Sequence, residues 1–137
     1  MAFPTKIGKF AAHRGVSGFT LVELLVVMSI IAILLTVAVP RYLGSIENAK
    51  EAALKSSLAR MREAIDQYHS DKGIYPSALD VLVESGYLRA LPVDPITESD
   101  RSWVTTPPKG ATQEQSIYDV HSGASGQSRL REDYSKW

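Results

Sequence analysis

The sequence predicts an α+β fold in which one long N-terminal helix packs against a small antiparallel β-sheet. Three observations carry this. Residues 19–39 are almost wholly apolar, long enough for a helix that leaves the soluble part of the molecule. Beyond Pro40, apolar side chains recur at helical spacing from Leu54 to Tyr68. Further on, only short β-prone segments appear, around Trp103 and Val120, between loops rich in glycine, proline and serine.

Residues 1–18 form a basic leader whose only charges are Lys6, Lys9 and Arg14. The oily run from Phe19 to Val39 would span about 32 Å as a helix, matching a hydrocarbon core of roughly 30 Å. A buried core helix is the alternative, but a chain of 137 residues could hardly wrap such a rod. The basic leader predicts that residues 1–18 lie in the cytoplasm and that the chain after Pro40 lies on the far side. An ordinary secretory signal fits poorly: the run is too long, and Val37-Ala38-Val39-Pro40 is a poor cleavage site. A plain uncleaved anchor leaves Glu23 unexplained, since an acid in the membrane costs on the order of 2.5–3.5 kcal/mol.

Pro40 lacks a backbone donor and crowds the carbonyl of Thr36, so a kink or local unwinding is expected there. Residues 40–72 then form an amphipathic half of the same rod, which should run from Thr20 to about Ser70. Leu54, Leu58, Met61, Ile65 and Tyr68 make its apolar stripe. Glu51 with Lys55, and Arg62 with Asp66, stand at i,i+4 spacing. Gly73 is the expected stop.

Residues 73–137 should form a globular region holding a short helix and a small sheet. Ser77 and Asp80 suggest a capping box for the short helix. Leu79, Leu82 and Val83 would face inward, and Gly86 would close it. Pro92 and Pro95 mark an irregular connection. Strands are expected at Ser102–Thr106 and Ser116–His121, in a sheet of two or three strands.

The formal net charge is zero, and no basic stripe with interleaved aromatics points to nucleic acid. With no cysteine, neither a disulfide framework nor a thiolate metal site can form.

Residues 18–27, Gly-Phe-Thr-Leu-Val-Glu-Leu-Leu-Val-Val, resemble the prepilin signal of type IV pilins and type II secretion pseudopilins. The resemblance implies a pilin-like version of the α+β fold. It also implies that a prepilin peptidase cuts between Gly18 and Phe19 on the cytoplasmic side and N-methylates Phe19. Glu23 then becomes the fifth residue of the mature chain. Cleavage would create an α-amine with a reference pKa near 7.7–8.0. In a filament of staggered helices that ammonium can face Glu23 of a neighbour. Two buried charges are tolerable as a pair and expensive alone, so the pair would set the stagger. Solvation of Glu23 at the lipid interface is the plainer reading.

Further along, Gly73-Ile74-Tyr75-Pro76, Gly86-Tyr87-Leu88, Leu91-Pro92-Val93-Asp94-Pro95 and Tyr118-Asp119-Val120 resemble the soluble domain of type II secretion major pseudopilins. The resemblance covers Gly18 to about Gly123. Many major type IV pilins close a C-terminal loop with a disulfide, which a chain without cysteine cannot do. Major pseudopilins commonly hold calcium in a C-terminal loop with closely spaced aspartates. Here only Asp119 and Asp133 are offered, with Ser122 and Ser125 as weak donors, short of the six to eight oxygens calcium takes. They are weak calcium candidates, and no other cofactor is expected.

Catalysis has little support. His13, His69 and His121 are far apart, and no HExxH, phosphate loop or serine elbow occurs. The resemblance therefore implies a structural subunit, not an enzyme. It would be anchored in the inner membrane by one span, with a periplasmic C-terminal domain, and would polymerise into a periplasmic pseudopilus that helps export folded proteins. Its partners would be further copies of itself, the prepilin peptidase, an inner-membrane assembly platform, minor pseudopilins and the membrane. A type IV pilin or minor pilin for adhesion, motility or DNA uptake is the alternative. A membrane-anchored binding module that never polymerises is another.

Overall fold

The computed structural model describes residues 1–2, 17–110 and 116–137. Its elements are helix α1 (Leu21–Lys72), helix α2 (Leu79–Glu84), strands β1 (Trp103–Thr106) and β2 (Asp119–Ser122), and a closing 3-10 turn at Tyr134–Lys136. This is the expected α+β architecture, a long N-terminal helix packed with a small antiparallel sheet. The chain forms two compact units, Met1–Pro40 and Arg41–Trp137.

In the first unit, α1 starts where Thr20 caps it. The Thr20 hydroxyl accepts the Glu23 amide at 3.1 Å, and its carbonyl accepts the Leu24 amide at 3.1 Å. Threonine suits this place because its oxygen satisfies one of the orphan donors of the first turn. Among the described residues the oily run that follows buries none of its large side chains: Leu21, Ile33 and Leu34 are all more than 60% exposed. Its two hydroxyls are satisfied locally. Ser29 donates to the Leu25 carbonyl and Thr36 to the Ala32 carbonyl, both at 2.8 Å, so neither needs water. The helical assignment runs unbroken through Pro40.

In the second unit, the predicted stripe is the core face of α1. Leu54, Leu58, Met61 and Ile65 are buried, joined by Ala64, with Tyr68 partly buried beside them. Leu82 of α2, Trp103 of β1 and Val120 of β2 close over this stripe together with Ile117. Gly73 ends α1 with a φ of +71° and an amide bond to the His69 carbonyl at 2.8 Å, a conformation that glycine adopts without a Cβ clash. Gly86 plays the same part after α2, at φ +81°.

Several local expectations are corrected. The i,i+4 pairs Glu51–Lys55 and Arg62–Asp66 do not form, because tertiary partners take these side chains. Glu51 accepts the Arg129 amide and the Tyr134 hydroxyl, and Lys55 lies 4.2 Å from the centre of the Trp137 ring. Arg62 turns to β2. Ser77 and Asp80 form no capping box: the residue before α2 is Ala78, and no side chain caps it. The second strand lies at Asp119–Ser122, not Ser116–His121, because the Ile117 amide bonds the Pro76 carbonyl ahead of α2. The first begins at Trp103, with Ser102 held in the preceding loop by Thr97 and the Ser99 carbonyl.

The sheet has two antiparallel strands, pairing Trp103 with Ser122 and Thr105 with Val120. The Pro92–Pro95 connection is ordered by Asp94, which is fully buried. One Asp94 oxygen accepts the Ile96 and Thr97 amides at 2.8 and 3.3 Å, and the other accepts the Ser122 hydroxyl. Each lone pair of a buried carboxylate needs such a donor, so the network ties the turn to β2.

Candidate functional site

The sequence places its sharpest signal at Gly18, Phe19 and Glu23, and the structure puts all three at the exposed start of α1. Gly18 and Phe19 precede the Thr20 cap, with Phe19 83% exposed. A methyl group built on Gly18 would meet no atom within 4 Å. The fold itself therefore sets no demand for glycine at this position. Glu23 is exposed in the first turn of α1, where the positive end of the helix dipole favours a carboxylate. Thr20, between Phe19 and Glu23, is a structural cap that the sequence analysis does not name as one. Its signal was present as Thr20-x-x-Glu23, the spacing of a capping box, of which the threonine half is formed. His13 and the leader charges Lys6, Lys9 and Arg14 lie outside the described residues.

The span downstream presents a continuous apolar surface. Between Leu21 and Val39 the large side chains are exposed on every side of the helix, and the segment is apolar and long enough to cross a membrane. At about 25 cal/mol per Å2, so much exposed hydrocarbon demands a lipid or protein cover. Arg41 and Tyr42 follow directly, both exposed.

At the other end of the chain, Asp119 and Asp133 are separately engaged. Burial pushes the Asp119 carboxyl up, but the Arg62 hydrogen bond, the Val120 amide and the charges of Arg62 and His121 bring it below the usual carboxylate range. Its Oδ1 accepts from Arg62 Nε at 2.7 Å, and its Oδ2 lies 3.4 Å from His121 Nε2. Asp133 is held low by Lys136 and Gln127, at 2.9 and 3.1 Å. Ser122 is committed to Asp94, and Ser125 is exposed. Among the described residues no three acidic, histidine or cysteine side chains gather at one point. The two carboxylates named as weak calcium candidates are thus each held by protein partners, while calcium takes backbone carbonyls as well as carboxylates. Of the described histidines, His69 stacks on Tyr75 at 3.9 Å, and His121 Nδ1 lies 2.8 Å from the Trp137 oxygen.

Known proteins resemble the chain along its N-terminal motif and beyond it. Residues 13–39 match the family model of the prokaryotic N-terminal methylation motif. The chain is 36% identical over 99 residues to the type II secretion system core protein G of Pseudomonas aeruginosa, covering 61% of this chain and 70% of that one. It is 35% identical over 98 residues to the protein of the same name from Aeromonas hydrophila, covering 60% and 68%. With that of Escherichia coli it is 31% identical over 137 residues, covering 88% and 90%. No solved structure matches the chain.

Proposed function

The chain belongs to the type II secretion system core protein G family, and from that premise we propose that it is the major structural subunit of a type II secretion pseudopilus. Its work is mechanical. Subunits stored in the inner membrane enter a short filament through their oily helices, and growth of the filament helps move folded proteins outward. Residues 1–18 face the cytoplasm and are removed, residues 19–39 span the membrane, and the unit from Arg41 to Trp137 is periplasmic. The prepilin peptidase, the inner-membrane platform and the minor pseudopilins act on or beside it. Pro40 marks the junction at which the helix passes from lipid to water.

The observation that carries this reading is the coincidence, within residues 13–39, of the methylation motif with a helix whose apolar surface is wholly uncovered. A membrane anchor alone would explain the exposed surface. It would not explain a glycine that the fold does not require, placed directly before an exposed phenylalanine. A peptidase that needs a residue without a side chain before the scissile bond accounts for both.

The test is mass spectrometry of the subunit recovered from sheared or overexpressed filaments. An N-methylated Phe19 terminus is the expected result. A filament subunit that begins at Met1 would overturn the reading. Gly18→Glu should accumulate the uncleaved precursor, whereas the fold beyond Thr20 should be unchanged.

A further inference from the structure

The start of α1 decides whether the Gly18–Phe19 peptide bond is wound into a helix. Along an α-helix each amide bonds the carbonyl four residues back. The first such bond in α1 runs from the Leu24 amide to the Thr20 carbonyl, at 3.1 Å. One step upstream, the Glu23 amide would be due to the Phe19 carbonyl, but it goes to the Thr20 hydroxyl instead, at 3.1 Å. The donor that helix growth would need next is therefore already taken. Ser17, Gly18 and Phe19 lie outside any helix or strand and are exposed.

Without that cap, the chain offers a second place for the helix to begin. The first amides of a helix lack intrahelical partners, so a helix gains by reaching further upstream unless a side chain supplies them. One more turn would give the Glu23 amide to the Phe19 carbonyl and the Val22 amide to the Gly18 carbonyl. Ser17 stands three residues before Thr20, the spacing at which its hydroxyl would cap the longer helix. Gly18 opposes the extra turn, because glycine is among the poorest helix formers. Thr20 and Gly18 thus act in the same direction.

The geometry points to Thr20 as a positioning residue for processing: its cap keeps the Gly18–Phe19 bond in open chain, where a peptidase can reach the Gly18 carbonyl. This rests on the reading that the Gly18–Phe19 bond is the one cleaved. Hydrolysis adds one water across the amide, leaves a carboxylate on Gly18 and releases Phe19 as an ammonium. The attacking group must approach the face of the carbonyl, and the cleft must admit the chain on both sides of it. A Gly18 carbonyl bonded to the Val22 amide meets neither requirement, since its oxygen is taken and the next turn covers it. Cleavage then proceeds only from the opened fraction, and its rate follows that fraction. The Glu23 carboxylate takes no part, because the cap bonds the Glu23 amide.

The full-length precursor in detergent micelles, treated with purified prepilin peptidase and timed by mass spectrometry, tests this. Thr20→Val keeps the shape of the side chain and removes the hydroxyl. Its kcat/KM should fall about fivefold, the worth of a typical N-cap. Thr20→Ser and Thr20→Asn, which still cap, should be cut within about twofold of the parent. Ser17→Ala added to Thr20→Val removes the competing helix start and should return most of the lost rate. Ser17→Ala alone should leave the rate unchanged.

The bond can also be read directly, because Gly18-Phe19 is the one Gly-Phe pair in the chain. With glycine carrying the heavy carbon isotope at its carbonyl and phenylalanine the heavy nitrogen isotope, only this peptide joins both labels. Its carbonyl resonance distinguishes helix from open chain. The resonance should move toward the helical value in Thr20→Val and return in the double variant with Ser17→Ala. A peptidase that reads the Thr20 hydroxyl itself would cut Thr20→Asn as slowly as Thr20→Val, and the double variant would stay slow with the resonance unmoved. That outcome, or equal rates for the parent and Thr20→Val, would overturn the inference while the processing reading stands. A parent chain that is not cut between Gly18 and Phe19 would overturn the processing reading itself, and this inference with it.

Discussion

Arg62, at the middle of the soluble half of α1, binds β2 through Asp119: its Nε donates to Asp119 Oδ1 at 2.7 Å, and its terminal nitrogen donates to the Val120 carbonyl at 2.9 Å. One side chain thus fixes both the charge and the backbone of the strand against the helix. Both partners are about a third exposed, so solvent screens the pair. Arg62→Met, which keeps the length and apolar stem, should destabilise the Arg41–Trp137 unit by about 1 kcal/mol. Thermal unfolding of Arg62→Met, Asp119→Asn and the double variant measures the coupling; purely additive losses would show that the pair does not act as a unit.

The same pair sets an acid limb. Asp119 and Asp133 titrate below their ordinary values in the folded chain. A carboxyl lowered by folding adds stability that is complete above its unfolded value near 3.9 and is lost as pH falls through the folded one. The urea midpoint should accordingly be flat from about pH 7 down to about pH 5 as far as these groups are concerned, then decline below about pH 4. Asp119→Asn should start lower and decline less. An acid limb identical in the parent and Asp119→Asn would remove Asp119 from the account.

Leu58 tests the core. It is 2% exposed and lies in the cluster that α1 forms with α2 and the sheet. Residues 41–137 make a compact unit by themselves and should fold as a separate polypeptide. In that polypeptide Leu58→Ala should cost about 2–5 kcal/mol through lost burial and a residual cavity. Leu58→Asp should abolish cooperative melting, because no partner awaits a charge there. Circular dichroism on heating decides it; a Leu58→Asp melt like the parent's would mean the stripe is not buried.

Gly123 tests a close backbone approach. It follows β2, and a methyl group placed on it would overlap the Ser102 carbonyl oxygen. The obstacle is backbone, which cannot rotate away as a side-chain tip can. Gly123→Ala should therefore destabilise the unit by about 1–3 kcal/mol and disturb the pairing of Trp103 with Ser122. Gly44→Ala, whose added methyl meets only the flexible end of Arg129, is the control that should melt no lower than the parent, since alanine favours the helix interior.

What the sequence could reveal was decided by the range of each interaction. The α1 stripe and the stops at Gly73 and Gly86 depend on residues a few positions apart, and they were read correctly. The capping pattern is equally local, yet it was assigned to Ser77 and Asp80 and overlooked at Thr20 and Glu23. There the acid belongs at once to the apolar run and to the first turn of α1. The i,i+4 pairs failed because propensity between helix neighbours is worth only a few tenths of a kcal/mol, less than partners supplied by β2 and the C-terminal loop. Those partners, Asp119 for Arg62 and Arg129 for Glu51, lie more than 50 residues away. Asp94 was visible only as part of a motif, since its burial depends on Ser122 arriving from β2. Gly18, Phe19 and Glu23 lie within six residues of one another, so their pattern is local, and residues 13–39 match the methylation-motif model.

On the proposed pseudopilus reading, Glu23 is the position at which assembly and membrane storage make opposite demands. In the single chain it is exposed at the first turn of α1, beside a Thr20 cap that does not depend on its carboxylate, because the hydroxyl bonds the Glu23 amide. Glu23→Leu should therefore leave the helix start intact and make insertion easier, since a transmembrane acid is removed. The variant should be inserted, cleaved and stable in the inner membrane. It should nonetheless fail to polymerise, because the ammonium of Phe19 on a neighbouring subunit would be buried without its partner. Removing one side of a buried pair costs about 3–5 kcal/mol, enough to shift an assembly equilibrium a hundredfold or more. Glu23→Asp, which keeps the charge but shortens the reach, should fall between. The measurement is filament yield against the membrane level of mature subunit, with wild type co-expressed at graded ratios so that mixed filaments report the cost per defect. Full filament yield and normal export from Glu23→Leu alone would mean that the stagger is set elsewhere along the oily helix.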